Sequence, residues 1–242
     1  MLIQGVNLQG VTIQDKPPTP PYDPPTAVSN ATVVSTSPFG TGSSYRFTGS
    51  TTSYVYFENY SGLSFGTGDF TTEWFQYETD SNAFPRVYWQ SNTAGANFPV
   101  QGVSLEGTTP YYWFSPATFG SMGSLGTFKN LWVHFALVRI SSKLYFYKNG
   151  TLISTAGGIS NTSNITGGTQ KFYIGCKAAG GLASEQFGGD ITNFRVCNIG
   201  VYTGNFTTPT SALQKTQSAN PSGGSNTSAI AEGQCILLMN PS

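Results

Sequence analysis

The chain is poor in groups that could do acid–base chemistry, so each can be weighed singly. It carries 11 Asp and Glu against 11 Lys and Arg, with one histidine in 242 residues. Glycoside hydrolysis needs two carboxylates, one acid and one base or nucleophile, about 5–10 Å apart. Glu78 and Asp80 stand two residues apart, but they end an aromatic run among polar residues, where solvated loop carboxylates are the plainer reading. No Glu-x-Asp-x-x-Glu run occurs. His134 lies between Trp132 and Ala136, the setting of a buried, hydrogen-bonded imidazole. These residues predict a protein that is not an enzyme.

Binding is better supplied than catalysis. Aromatics make up 14% of the chain, and sugar recognition needs aromatic platforms beside a few polar groups. Glu73, Phe75 and Tyr77 alternate along one run and so share a strand face, opposite Phe70 and Trp74. If Phe70 and Trp74 face the core, the other face is open, and Trp89, Tyr111, Tyr112 and Trp113 could line the same surface. The competing reading packs these aromatics under loops or into a subunit interface, including one between copies of this chain.

The elements that must position these residues are strands. Tyr45–Phe47 and Val55–Phe57 alternate with polar residues, Phe70–Tyr77 presents two strand faces, Leu144–Tyr147 meets Thr151–Ile153 across Lys148-Asn149-Gly150, and no convincing helical pattern appears. The run Trp132–Arg139 is apolar on both faces, which predicts a central strand. Asn149-Gly150 predicts a two-residue type I′ hairpin turn, since both positions need positive φ. Weaker strands are expected near Arg86–Trp89, Val103–Glu106 and Tyr111–Phe114. Residues 211–233 read as a long polar loop with a mobile tip at Ser222-Gly223-Gly224-Ser225.

Composition sets further limits. Charged residues are only 9% and the net charge is zero, so no basic patch for nucleic acid is expected. No apolar run approaches the roughly 20 residues needed to span a bilayer, so no membrane partner is expected. The start, Met1-Leu2-Ile3-Gln4-Gly5-Val6-Asn7, lacks the basic and apolar regions of a secretory leader. Cys176, Cys197 and Cys235 sit in apolar strand-like runs and read as buried reduced thiols, with one Cys197–Cys235 disulfide as the lesser reading.

Residues 1–26 differ from the rest. Leu2, Val6, Leu8, Val11 and Ile13 are followed by Lys16-Pro17-Pro18-Thr19-Pro20-Pro21-Tyr22-Asp23-Pro24-Pro25, a semi-rigid extended spacer. So few apolar residues cannot form a core alone. They are read as an arm that docks these five side chains onto a partner, ahead of one domain over residues 27–242.

Five blocks together carry a family resemblance: Ser44–Gly49 leading to Tyr54–Phe57; Leu63–Phe75 with Gly66-Thr67-Gly68-Asp69-Phe70; Trp132–Arg139 with Leu144–Leu152; Phe187–Val196 with Gly188-Gly189-Asp190; and Val201–Thr210. In order and spacing they resemble the concanavalin A-like lectin/glucanase superfamily, in particular the laminin-G-like domains of phage and algal-virus structural proteins. The resemblance implies an all-β, two-sheet antiparallel jelly roll whose last strand lies near the first, with the Phe75 face concave. It also implies calcium at Asp69 and Asp190, weakly held because few carboxylates surround them; turn capping through their own backbone is the plainer role. No other cofactor is expected. The combined reading is a virion structural or surface-display protein, on capsid or tail, anchored to other virion proteins by its arm and touching host-surface polysaccharide through Glu73, Phe75, Tyr77, Trp89 and Tyr112. The alternative is a free, extracellular carbohydrate-binding lectin or adhesin.

Overall fold

The computed structural model describes residues 25–58, 61–79, 81–91, 100–114, 118–167, 170–177 and 185–241. The proposed anchor residues Leu2, Val6, Leu8, Val11 and Ile13, and Asp80, lie outside them. Two antiparallel sheets stack face to face. The seven-stranded sheet runs, in spatial order, β1 (Ala27–Ser29), β4 (Tyr54–Phe57), β14 (Phe172–Ile174), β6 (Arg86–Gln90), β7 (Gln101–Glu106), β8 (Thr109–Phe114) and β9 (Thr118–Ser121). The nine-stranded sheet runs β12 (Thr151–Leu152), β11 (Lys143–Lys148), β10 (Trp132–Ile140), β5 (Phe70–Glu78), β15 (Gly188–Cys197), β3 (Ser44–Thr48) and β2 (Thr32–Val34), with β13 (Ile159–Ser160) on β11 and β16 (Cys235–Met239) on β15. One complete 3₁₀ turn, Ser61–Leu63, is described. The expected all-β sandwich is therefore what the chain forms.

Alternation along the strands makes the core. Trp74, Tyr88, Phe135, Phe146, Phe172 and Phe194 converge between the sheets and are almost wholly buried. Trp132, at the start of its strand, is only half-buried, because it stands on the outer face beside Phe39. The apolar outer face of β10 and β11 is covered instead by the chain that follows β15: Ala136, Val138 and Tyr147 pack against Val201, Tyr202, Phe206 and Ile230. Residues 211–233, expected as a loop, are irregular but tied down, through the bridges Tyr202–Thr227 and Gln217–Ile230. Their weak local pattern hides a covering role that only tertiary contacts reveal.

Strand β15 organises the closure. Asn193 adopts positive φ within it, and the register with β5 shifts between Thr192 and Arg195. β3 pairs its first half and β16 its second, so these two lie end to end along one edge. The last strand thus sits beside β15, one strand in from Val33 on β2.

All three cysteines are free thiols, two of them buried. Cys197 and Cys235 are nonetheless register partners across β15 and β16, and opposed antiparallel residues have a Cα spacing that a disulfide accepts. Treatment with oxidised glutathione is expected to join them by thiol–disulfide exchange, detected as loss of two hydrogens in the intact mass. A mixed disulfide that persists on Cys235 would contradict the pairing.

Candidate functional site

Along β5, Trp74 faces the core, and so Glu73, Phe75 and Tyr77 face outward. Glu73 is nevertheless fully buried. The strands on either side explain this. β15 sets Arg195 opposite Glu73, and β10 sets His134 opposite Phe75. Arg195 Nε and Nη2 lie 2.8 and 2.7 Å from Glu73 Oε1, His134 Nε2 lies 3.0 Å from Oε2, and the Tyr202 hydroxyl donates to Oε2 at 2.6 Å. Burial alone would raise the carboxyl, but the Arg195 guanidinium, helped by His134 and Tyr202, holds it at about 2. Because a carboxylate only accepts, the imidazole carries its proton on Nε2. His134 Nδ1 is buried and has no hydrogen-bond partner.

Beside this cluster lies a cleft of about 330 Å³. Phe75, Trp132, His134 and Asn149 form one side, and Pro38, Phe39 and the segment Thr208-Pro209-Thr210 the other. The Asn149-Gly150 turn has φ of 47° and 75°, as the type I′ expectation requires. It also sets the cleft. Asn149 Oδ1 accepts from the His134 backbone amide at 2.9 Å, and the Phe206 amide donates to the Gly150 carbonyl at 2.9 Å. A Cβ on Gly150 would strike the Phe206 carbonyl oxygen, so only glycine lets residues 206–210 close over the turn. Phe39 meets Phe75 edge-on at 5.0 Å, and Tyr77 lies 5.8 Å from Trp132 at the rim. The result is an aromatic, uncharged recess with hydroxyl and amide groups around it, the chemistry of a site for a small polar ring.

The other expected site residues go elsewhere. Tyr112 is fully buried between the sheets and cannot be a platform. Trp89 is on the seven-stranded sheet, its ring over Gly102 and next to Trp113 at 5.8 Å, so it does not share a surface with Phe75. Arg86 stacks on both rings, at 5.2 and 5.0 Å, and is paired to Glu106 at 2.8 Å and Glu185 at 3.2 Å. The two halves of the expected surface are split because a sandwich sends outward residues of its two sheets in opposite directions. Glu78, expected in solvent, is buried, ion-paired with Lys129 at 3.0 Å and bonded to Gln76.

Asp69 and Asp190 are far from the self-capping role. Asp69 accepts from the Ser141 amide at 2.9 Å. Asp190 takes both Arg46 Nε and Nη2, at 2.7 and 2.8 Å, plus the Thr36 hydroxyl. A calcium ion at Asp190 would have to displace this bidentate pair. Among the described residues no three His, Cys, Asp or Glu side chains cluster. Gly62-Leu63-Ser64-Phe65-Gly66 has the spacing of a nucleophile elbow, but it begins inside a 3₁₀ turn rather than after a strand, and the sole histidine is bound to Glu73.

Phe39 and Pro209 escape sequence reading because each stands in a turn-rich stretch with no periodicity. Asn149 was visible only as a turn residue, and His134 only as a buried ring.

No curated protein matches the chain in sequence. Several solved structures share its fold. Domain 4 of AbnA, an extracellular arabinanase of Geobacillus stearothermophilus solved with arabinotriose, aligns with a TM-score of 0.52 at 16% identity, over 72% of this chain and 82% of that one. Trypanosoma rangeli sialidase, in complex with 2,3-difluoro-KDN, aligns with a TM-score of 0.51 at 15% identity, over 72% of this chain but only 27% of the sialidase. The binding domain of Paraclostridial Mosquitocidal Protein 1 gives 0.50 at 13% identity, over 72% and 44%. The chain thus spans about a quarter of the sialidase's length. At these identities the likeness is one of fold. The family model of the concanavalin A-like lectin/glucanases superfamily matches residues 48–203, from β3 to just past β15, and the chain belongs to that superfamily.

Proposed function

We propose that this protein is a non-catalytic carbohydrate-binding module that takes a sugar ring in the Phe39–Phe75–Trp132–His134 cleft. The observation that carries the reading is the cleft itself, walled by the rings of Phe39, Phe75 and Trp132 with Asn149 and Thr208–Thr210 around them. The arabinanase domain of the same fold, solved with a trisaccharide, supports the ligand class. Catalysis is not proposed. Glu73, with a carboxyl at about 2 and three donors on it, is too weak a base and is never protonated near neutral pH. Glu106 is ion-paired with Arg86, and Glu185 with Arg86 and Lys177.

Isothermal titration against neutral and acidic oligosaccharides should find weak binding, roughly millimolar, as a few kcal/mol of shallow stacking implies. Phe39→Ala and Trp132→Ala should abolish it, whereas Trp89→Ala should not. Binding that survives both cleft substitutions would overturn the assignment, and hydrolysis of any bound oligosaccharide would overturn the non-catalytic reading.

A second reading concerns where the module works. The apolar residues 2–13, held on a proline-rich spacer, favour display on a larger particle such as a virion, with residues 1–26 as the anchor. Deleting them should leave the unfolding transition cooperative while preventing incorporation into that particle. Free secretion as a lectin predicts no such loss.

A further inference from the structure

A second recess adjoins the sugar cleft. Pro209 and Thr210 wall the cleft on one side, and the same two residues wall this recess. The two hollows therefore meet at the strap of residues 207–210. The recess has a volume of about 100 Å³, room for several water molecules. Buried Tyr202 and Leu213 form its apolar part, and Ser211, Gln214, Gln217 and Ser222 bring hydroxyl and amide groups to it.

Three features set this recess apart from a gap between loops. Its polar groups both donate and accept, since hydroxyls and side-chain amides do, and so they match the hydroxyls of a sugar. Among the described residues, no Asp, Glu, Lys or Arg lines either hollow, so a carboxylate or sulfate would enter without a counter-charge. The walls, finally, are fixed before any ligand arrives. The Leu213 amide donates to buried Asn193 Oδ1 at 2.8 Å. Gln217 is held at both ends of its amide, by Arg195 Nη1 at 2.9 Å and by the Ser228 carbonyl at 3.0 Å. The Thr227 amide donates to Asn220 Oδ1 at 2.9 Å. Gly224, at φ of 77°, lies against Thr207, where a Cβ would meet the hydroxyl. A recess shaped in advance costs its ligand less ordering.

We infer that the Tyr202–Ser211–Gln214–Ser222 recess is a second sugar subsite, which makes the ligand a neutral oligosaccharide of two or more units bound across the Pro209–Thr210 strap. The inference rests on the sugar cleft proposed above. One unit sits among Phe39, Phe75 and Trp132, and its neighbour hydrogen-bonds to Ser211 and Gln214 beside Tyr202. Acidic sugars are selected against, because neither hollow offers a Lys or Arg.

Calorimetry with matched pairs tests this: arabinose and arabinotriose, glucose and cellotriose, galacturonic acid and its linear trimer. A neutral trimer should bind about tenfold more tightly than its own monomer, as one or two hydrogen bonds gained in the second subsite imply. The galacturonate trimer should show no such gain. The double variant Ser211→Ala/Gln214→Ala changes two exposed side chains of the recess that do not line the cleft. It should bring the trimer down to the affinity of the monomer, with monomer binding and the melting temperature unchanged. Ser222→Trp, which fills the recess with a ring, should do the same. Neutral trimers that bind no better than monomers would leave the cleft standing and remove the second subsite. A tenfold gain that survives both variants would place the second unit elsewhere. An equal gain for the galacturonate trimer would refute the preference for neutral sugars. Absence of binding by every sugar of the set would overturn the cleft and the subsite together.

Discussion

Replacing Glu73 by alanine is expected to lower the stability of the fold by about 3–5 kcal/mol, the cost of leaving a buried charge without its partner. The partner is Arg195, itself 1% exposed in its side chain and otherwise bonded only to the Gln214 carbonyl and Gln217. Removing the carboxylate strands that guanidinium and frees His134 and Tyr202. Arg195→Ala should cost a similar amount, and the double variant much less than the sum, because each single change already breaks the pair. The same cluster sets an acid limit. The folded-state carboxyl sits at about 2, below its ordinary 4.5, so its stabilisation is complete above about pH 4.5 and is lost as pH falls towards 2. That window is worth roughly 3 kcal/mol. Chemical denaturation at stepped pH should show the decline in the parent and its absence in Glu73→Ala; parallel curves would refute the linkage.

Phe194→Ala is expected to be comparably damaging, about 3–5 kcal/mol. Its ring touches Trp74 at 6.0 Å, Tyr88 at 5.7 Å and Phe172 at 5.8 Å, and so joins the two sheets. Trp132→Ala offers the contrast. Despite its size, Trp132 is half-buried on the outer face, and its removal should shift the denaturation midpoint far less while costing sugar affinity. Equal midpoint losses for the two would put Trp132 in the core and remove it from the cleft.

These contrasts show where sequence reasoning holds. Period-two alternation located β3, β4 and β5, because one residue in two must face the same core, while β10 showed as a run apolar on both faces and β11 through the Asn149-Gly150 hairpin. It missed β1, β9 and β13, two to four residues long, whose pairing comes from neighbours rather than from pattern. It placed Glu73, Phe75 and Tyr77 on one outward face, as found. It could not tell that Glu73 would be buried there, since the lid of residues 199–233 carries no regular pattern and its closure depends on contacts such as Arg195 with Gln214. The run Trp132–Arg139 shows a related limit: an apolar run has two faces, and which is the core depends on the partner sheet, so the pattern alone does not place Trp132 outside. Trp89 and Tyr112 were joined to Phe75 by residue type alone. Tyr112 alternates inward and Trp89 outward on a sheet whose outer face points away from the cleft.

The central claim is that a sugar enters the cleft beside His134, and this chain allows a direct look because it has a single histidine. Imidazole ¹⁵N spectra, recorded at constant pH during titration with an oligosaccharide that calorimetry shows to bind, report on Nδ1 and Nε2 without assignment. The Nδ1 resonance should move saturably with the calorimetric affinity, Nε2 should stay near its carboxylate-bound position, and Trp132→Ala should lose both the movement and the heat. A sugar that binds while both imidazole resonances stay still would contradict the account and move recognition off this face of the sandwich.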